Sequence, residues 1–321
     1  MTNTKAAVVT AFGEPPRYLD FDLPDPADGQ ELVDVLAVGL HPRTRSGASG
    51  THYTSTGKLP LVPGVDGVGR RSDGALVYFV AHGDIGSLAT RTVIDSRRCA
   101  VLPGDADVVK IAAAMNPAMS SWVALRTQAP IEPGQSVLVL GATGNAGAMA
   151  VEIAKLFGAG RVIGAGRDQG RLDALAGRGA DDVVAITDDA EQAGRDLAAA
   201  AADVDIVLDY LWGPPTQHAL VPMLTARTDR SRPLRWVEIG SMAGASIELP
   251  SAALRSANLR LLGSGQGSVS PRGYVAQLPA LAEAIDAGQI TVATREAALA
   301  DVERVWAEAE ERGVRTVFRV K

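Results

Sequence analysis

Gly141, Ala142, Thr143, Gly144, Asn145, Ala146 and Gly147 stand between the apolar run Ser136 to Leu140 and a segment whose Ala146, Met149, Ala150, Ile153, Ala154 and Phe157 fall on one helical face. The turn reads A-x-G-x-x-G with an additional glycine in front. In that setting Gly144 lets a backbone approach a pyrophosphate, Gly147 lets the helix lie close to the strand, and the helix's N-terminal amides point at the phosphates. Glycine-rich turns also close ordinary βα units. The strand before this one, the helix after it and a second strand about 20 residues on make dinucleotide binding the expectation.

The end of that second strand chooses the dinucleotide. An acidic residue there would hold the ribose hydroxyls of NAD, whereas this chain reads GAGRDQGRL from Gly164. Gly166 leaves room, and the planar fork of Arg167, aided by Arg171, suits a 2′-phosphate, so the expected cofactor is NADPH. Two other readings stand beside it: Asp168 as a displaced ribose ligand, and Arg167 and Arg171 as solvated turn and helix charges. Gly240 and Ser241, and Gly263, Ser264 and Gly265, follow later strands and would offer backbone groups to the carboxamide. Trp212, after LDYL, either borders the pocket or packs beneath it.

His41 and Tyr53 are the candidates for proton transfer. An imidazole titrates near neutral pH, and a phenol can donate to a carbonyl oxygen. The alternatives are a His41 that caps a loop ahead of Pro42 and a Tyr53 that forms an apolar wall. His41, His52 and Asp66 have the residue types of a zinc site but not a recognised spacing, and Cys99 is the single cysteine. That excludes a thiolate cluster and an internal disulfide, so no metal is expected. His82 reads as a turn residue and His218 as a helix residue. Without a metal, hydride transfer is best matched to quinones and conjugated carbonyls, whose developing charge delocalises.

These residues need a scaffold, and the patterning supplies one. The chain has 321 residues, 46% hydrophobic and 21% charged, which suits about two domains of a soluble enzyme. The first third contains short strand-like runs, KAAVVTAF, ELVDVLAVGL, GVGRR, ALVYFVA and LATRTVI, between turn clusters, as in a small β-barrel. From about Asn116, six apolar runs alternate with Ala-rich helical segments. They are Ser136 to Leu140, Arg161 to Ala165, Asp182 to Ile186, Asp205 to Asp209, Arg235 to Ile239 and Leu259 to Gly263. That predicts a doubly wound parallel sheet. The tail reads as two helices, YVAQLPALAEAIDAGQI and LADVERVWAEAEERG, and a last strand, RTVFRV.

The remaining signals are largely exclusions. A net charge of -6 and the absence of a basic stripe argue against nucleic acid as a partner. The uncharged stretch from Pro133 to Val151 is about as long as a membrane span, but its glycines suit a turn, so no membrane is expected. The N-terminal residues lack signal-peptide features, and a cytoplasmic location is the expectation.

On these residues the sequence resembles the zinc-independent branch of the medium-chain dehydrogenase/reductase superfamily, the quinone oxidoreductase-like proteins. LPLVPGVDGVG, from Leu59 to Gly69, is similar to that family's P-x-x-x-G-x-(D/E)-G-x-G signature. AAAMNPAMSSWVAL with IEPGQSVLVLGATGNAGAMAVEIAK resembles the stretch that joins its two domains. VDIVLDYLWG and WVEIGSMAGASIELPSAALRSANLRLLGSG resemble its later strands. The resemblance implies a GroES-like catalytic domain, 1–115 with 264–321, and a Rossmann NADP(H)-binding domain, 116–263, with the nicotinamide in a cleft between them.

It further implies that Ser120, where relatives often carry Thr, and Asn116 just before it lie near the nicotinamide, and that the protein is a homodimer joined along the coenzyme domain's edge strand. Zinc-dependent relatives have Gly-His-Glu where this chain has Gly64, Val65 and Asp66, and Val65 cannot bind a metal. Many members place Asn and Asp where His41 and Thr44 stand here. The implied activity is NADPH-dependent hydride transfer to a quinone or an α,β-unsaturated carbonyl. The alternatives are metal-free ketone or aldehyde reduction, and NADPH binding without catalysis.

Overall fold

A computed structural model describes residues 2–52, 55–81, 83–265 and 267–320. Tyr53 and His82 lie outside the described residues. The chain divides into two units, Met1–Asn116 with Pro271–Lys321, and Pro117–Ser270.

The second unit is built on a parallel sheet of six strands in the order Asp182–Ala185, Arg161–Gly166, Ser136–Leu140, Ile206–Asp209, Leu234–Glu238, Leu259–Gly263. The chain enters at the centre, winds out to one edge, then returns and winds to the other, which is the doubly wound topology. Each strand lies within one residue of the bounds expected from its apolar run. At the centre of the sheet the reason is burial on both faces: Val137, Leu138, Val139 and Leu140 are all 0% exposed. On one face, helices Ala190–Ala201 and Gly213–Ala226 pack Leu197, Leu220, Met223 and Leu224 against Leu138, Val207 and Trp236.

The first unit is mostly antiparallel. A two-stranded ribbon pairs Thr2–Val8 with Arg17–Leu23, and a seven-stranded sheet is centred on the long strand Gln30–Gly39. A bulge between Val35 and Ala37 lets that strand change partners. Its first half pairs with Arg91–Asp95, and its last residues pair with Val314–Arg319, which brings the C-terminal strand into the N-terminal sheet. Val33, Val38, Phe79, Leu88, Ile94 and Phe318 form its core.

Several features differ from the sequence expectation, and one is the second tail helix, which is a tight turn, Leu299–Asp301, and a shorter helix, Val302–Ala307. Strand Ala293–Ala298 pairs parallel with Val314–Arg319, yet its residues are almost all exposed, so no apolar pattern announces it. The predicted helix from Tyr274 is two helices, Pro271–Val275 and Leu278–Asp286, with Pro279 in the first turn of the second. Ser264–Ser270 groups with the second unit rather than the first, because Ser264 N donates to Glu238 O and Gln128 Nε2 donates to Ser268 O.

Helix Val108–Val123 continues into a π-helical turn, Ala124–Gln128. Among the described residues it is the helix long and apolar enough to cross a membrane, but 78% of its apolar window is buried inside the fold.

Candidate active site

The glycine turn is built to leave its outer face open. Gly141 has φ +90°, which only a glycine adopts without strain, and its N–H, like that of Ala142, donates to Ala165 O. A Cβ on Gly147 would lie 2.2 Å from Gly141 O, so this glycine is what lets helix Asn145–Leu156 sit against the turn. A Cβ on Gly144 would meet only Gly141 O, at 3.4 Å, leaving the space in front of it clear. Gly144 is the N-cap and gives no side-chain cap, so the first-turn amides of Asn145, Ala146 and Gly147 are not taken by a capping side chain. The turn thus fits a dinucleotide pyrophosphate.

Gly166 has a different reason from the one expected. A Cβ there would lie 2.5 Å from Thr143 Cγ2, so this glycine admits the Thr143 side chain of the neighbouring turn. Arg167 follows, exposed and with no hydrogen bond or ion pair among the described residues. Asp168 is a helix cap: its Oδ1 accepts from Arg171 N at 3.2 Å at the start of helix Gln169–Ala174. That role accounts for its place without a ribose, and it sets Arg171 one turn into the same helix.

On the strand beside the one that leads into the glycine turn, Asp209, which the sequence reading did not single out, holds the next loop. It is 0% exposed and accepts four hydrogen bonds. They come from Leu211 N and Trp212 N at 2.9 Å each, Thr216 Oγ1 at 2.6 Å and Trp236 Nε1 at 2.9 Å. The two backbone bonds fold Tyr210–Gly213 tightly enough that Trp212 takes φ +49°. A lone Asp ending an apolar strand was the available signal. The indole that completes its shell comes from another strand, 27 residues away.

Trp212 opens on a cavity of about 430 Å³ that Glu238, Ser241, Leu261 and Gly263 also line. Gly240 N is held by Asp209 O, Ser264 N by Glu238 O, and Gly265 N by Ser268 Oγ, so the loops after the last two strands are fixed by backbone bonds. Ser120 Oγ donates to Pro117 O at 2.7 Å and lies 3.0 Å from Tyr210 Oη, whose pKa burial pushes up to about 12. Asn116 is half-buried, four residues earlier on the same helix.

In the first unit His41 is the N-cap residue of helix Pro42–Ala48, but its side chain makes no cap. The ring turns inward, 2% exposed, with Nε2 3.3 Å from Asp66 Oδ1. Gly39 makes room for it, since a Cβ there would lie 2.8 Å from the imidazole. Asp66 Oδ2 accepts from Tyr78 Oη at 2.6 Å. Burial lowers the His41 pKa, and Asp66 only partly opposes it; burial and the Asp66 charge raise that of Tyr78. Among the described residues no three His, Cys, Asp or Glu side chains gather as a metal site would require.

The chain is 30% identical, over 98% of its length and 99% of the relative's, to a probable NADPH-dependent quinone reductase, tdiC, of Emericella nidulans. It belongs to the quinone oxidoreductase-like family of the medium-chain dehydrogenase/reductases. A member of this family from Solanum lycopersicum, a 2-methylene-furan-3-one reductase, is 29% identical over 50% of this chain and 45% of its own. The structure of a mycobacterial quinone oxidoreductase superposes with TM-score 0.84 at 22% identity, covering 98% of this chain and 99% of that one, so the family fold of a GroES-like unit with a Rossmann unit is shared. No protein-family model matches the chain.

Proposed function

We propose that the protein is an NADPH-dependent, zinc-independent reductase of quinones or α,β-unsaturated carbonyls. The observation that carries this reading is the open glycine turn, with uncapped amides at Asn145–Gly147 and the unpaired Arg167 fork at the end of the next strand. The names of the quinone reductase and furanone reductase relatives support the same acceptor class. Bound NADPH would supply the hydride. The chain's part is to hold the pyrophosphate at Gly141–Gly147, to meet the 2′-phosphate with Arg167 and Arg171, and to steady the nicotinamide end with Asn116, Ser120 and the loops at Gly240–Ser241 and Gly263–Gly265. The proton that follows the hydride is assigned to Tyr53 rather than His41, because the His41 ring, 2% exposed and turned to Asp66, does not reach the surface.

A homodimer joined along edge strand Leu259–Gly263 is part of this proposal, because Leu261, Leu254 and Met242 there are 37%, 50% and 77% exposed. A cytoplasmic setting agrees with the single cysteine. The deciding experiment follows NADPH absorbance with a naphthoquinone, a linear enone and a simple aldehyde as acceptors. Turnover of the quinone or enone is expected. Turnover of the aldehyde alone would replace the proposal with metal-free carbonyl reduction, and NADPH binding without any turnover would remove the enzymatic reading.

A further inference from the structure

The cavity at the carboxyl ends of strands Ile206–Asp209, Leu234–Glu238 and Leu259–Gly263 holds a carboxylate with nothing to receive. Glu238 is half-buried and lines the cavity, and its side chain has no hydrogen bond or ion pair among the described residues. Trp212, Ser241, Ala245, Leu261, Leu262 and Gly263 line the same cavity. Trp212 is held in a left-handed backbone conformation by the two N–H bonds to Asp209, and such strain persists where the surroundings over-determine it, often beside a ligand.

An ionised carboxylate only accepts hydrogen bonds, and one that is partly desolvated and unpaired gains most from a donor. Burial and the nearby charge of Asp209 raise the Glu238 pKa, the sign of that missing donor. Trp212, Ala245, Leu261 and Leu262 give the cavity an apolar lining suited to a ring, and its volume of about 430 Å³ lies in the range of small-molecule sites.

We propose that this cavity takes a planar conjugated carbonyl compound bearing a hydroxyl or amino group, which donates to Glu238 while the ring lies along Trp212. The carbonyl part rests on the reductase reading above; the donor group and the two residues that recognise it do not.

The test uses the whole protein and calorimetric titration without NADPH, with a naphthoquinone carrying a phenolic hydroxyl on the ring remote from its carbonyls, and with its methyl ether. The hydroxyl compound should bind about tenfold more tightly, as expected for one hydrogen bond to a charged group, and Glu238→Met should bring the two within about twofold. The circular dichroism spectrum and thermal midpoint of the variant, measured in parallel, should match those of the wild type, which shows that it is folded. Equal affinities in the wild type, a preference that survives in Glu238→Met, or no binding of either probe would overturn the proposal. A wild type that turns over quinone while keeping its preference in the variant defeats this inference and leaves the reductase reading standing. A hydroxyl preference lost in Glu238→Met, in a protein that reduces nothing, defeats the reductase reading and leaves the pocket standing.

Discussion

At the scale of single residues, charge and burial decide the expected behaviour. Arg167 is exposed and unpaired, so its guanidinium is available to a phosphate but adds nothing to a ribose hydroxyl. Arg167→Ala should weaken NADPH at least tenfold, about 1.5 kcal/mol or more, and leave NADH nearly unchanged, as read by titration of each cofactor. His41 gives a prediction of the opposite kind, one of stability. Its pKa is lowered in the folded chain, so the unfolded chain takes up the proton more readily. Its neutral form therefore costs nothing above the unfolded value near 6.5, and stability is lost as pH falls below that value toward the lowered one, by up to about 1.4 kcal/mol per pH unit. His41→Gln should flatten the fall in urea midpoint between about pH 7 and 5, where the carboxylates have yet to titrate. Asp66, Arg43 and Arg315 act on this group from its surroundings, and of these Arg43 and Arg315 push its pKa further down.

At the scale of elements, the contact that matters is helix Asn145–Leu156 on its turn. Gly147→Ala must move backbone, since the new Cβ would meet Gly141 O at 2.2 Å. A loss of about 1–3 kcal/mol in unfolding free energy is expected, with NADPH affinity falling alongside. Gly170→Ala is the matched control. It lies in helix Gln169–Ala174, where a Cβ would meet only Asp168 Oδ1, at 3.8 Å, and a gain of about 0.5–1 kcal/mol should appear in the same assay. Both glycines are plain in the sequence, but only one can be read as obligatory there. The G-x-x-G spacing marks Gly147, whereas nothing in the string separates the Thr143 neighbour of Gly166 from the empty space at Gly170. Asp209 is harder still, because its shell draws on a loop, a helix and a second strand.

At the scale of the whole molecule, the open question is assembly. The strand Leu259–Gly263 ends the sheet with a free edge, and parallel sheets are usually covered. Leu254 and Met242, on the segments that flank it, are 50% and 77% exposed and give an apolar surface that a second copy would bury. Light scattering should report a dimer for the wild type and a monomer for Leu254→Lys, with the thermal midpoint of the variant lowered through lost association. A dimer that survives the substitution would place the contact elsewhere.

What the sequence determined by itself was local and periodic. Six apolar strand-length runs, a glycine turn between a strand and a helix, and an arginine where an acid would select NAD are properties of short windows, and each window carries its own physical requirement. The tertiary structure decided what depends on neighbours far apart in the chain. It turned His41 inward to Asp66, gave Asp168 to a helix cap, placed the exposed strand Ala293–Ala298 beside the C-terminal strand, and left Glu238 unpaired in a cavity with Trp212. Burial and hydrogen-bond satisfaction are properties of that enclosure, and they follow from which strands the sheet makes adjacent rather than from the order of the residues.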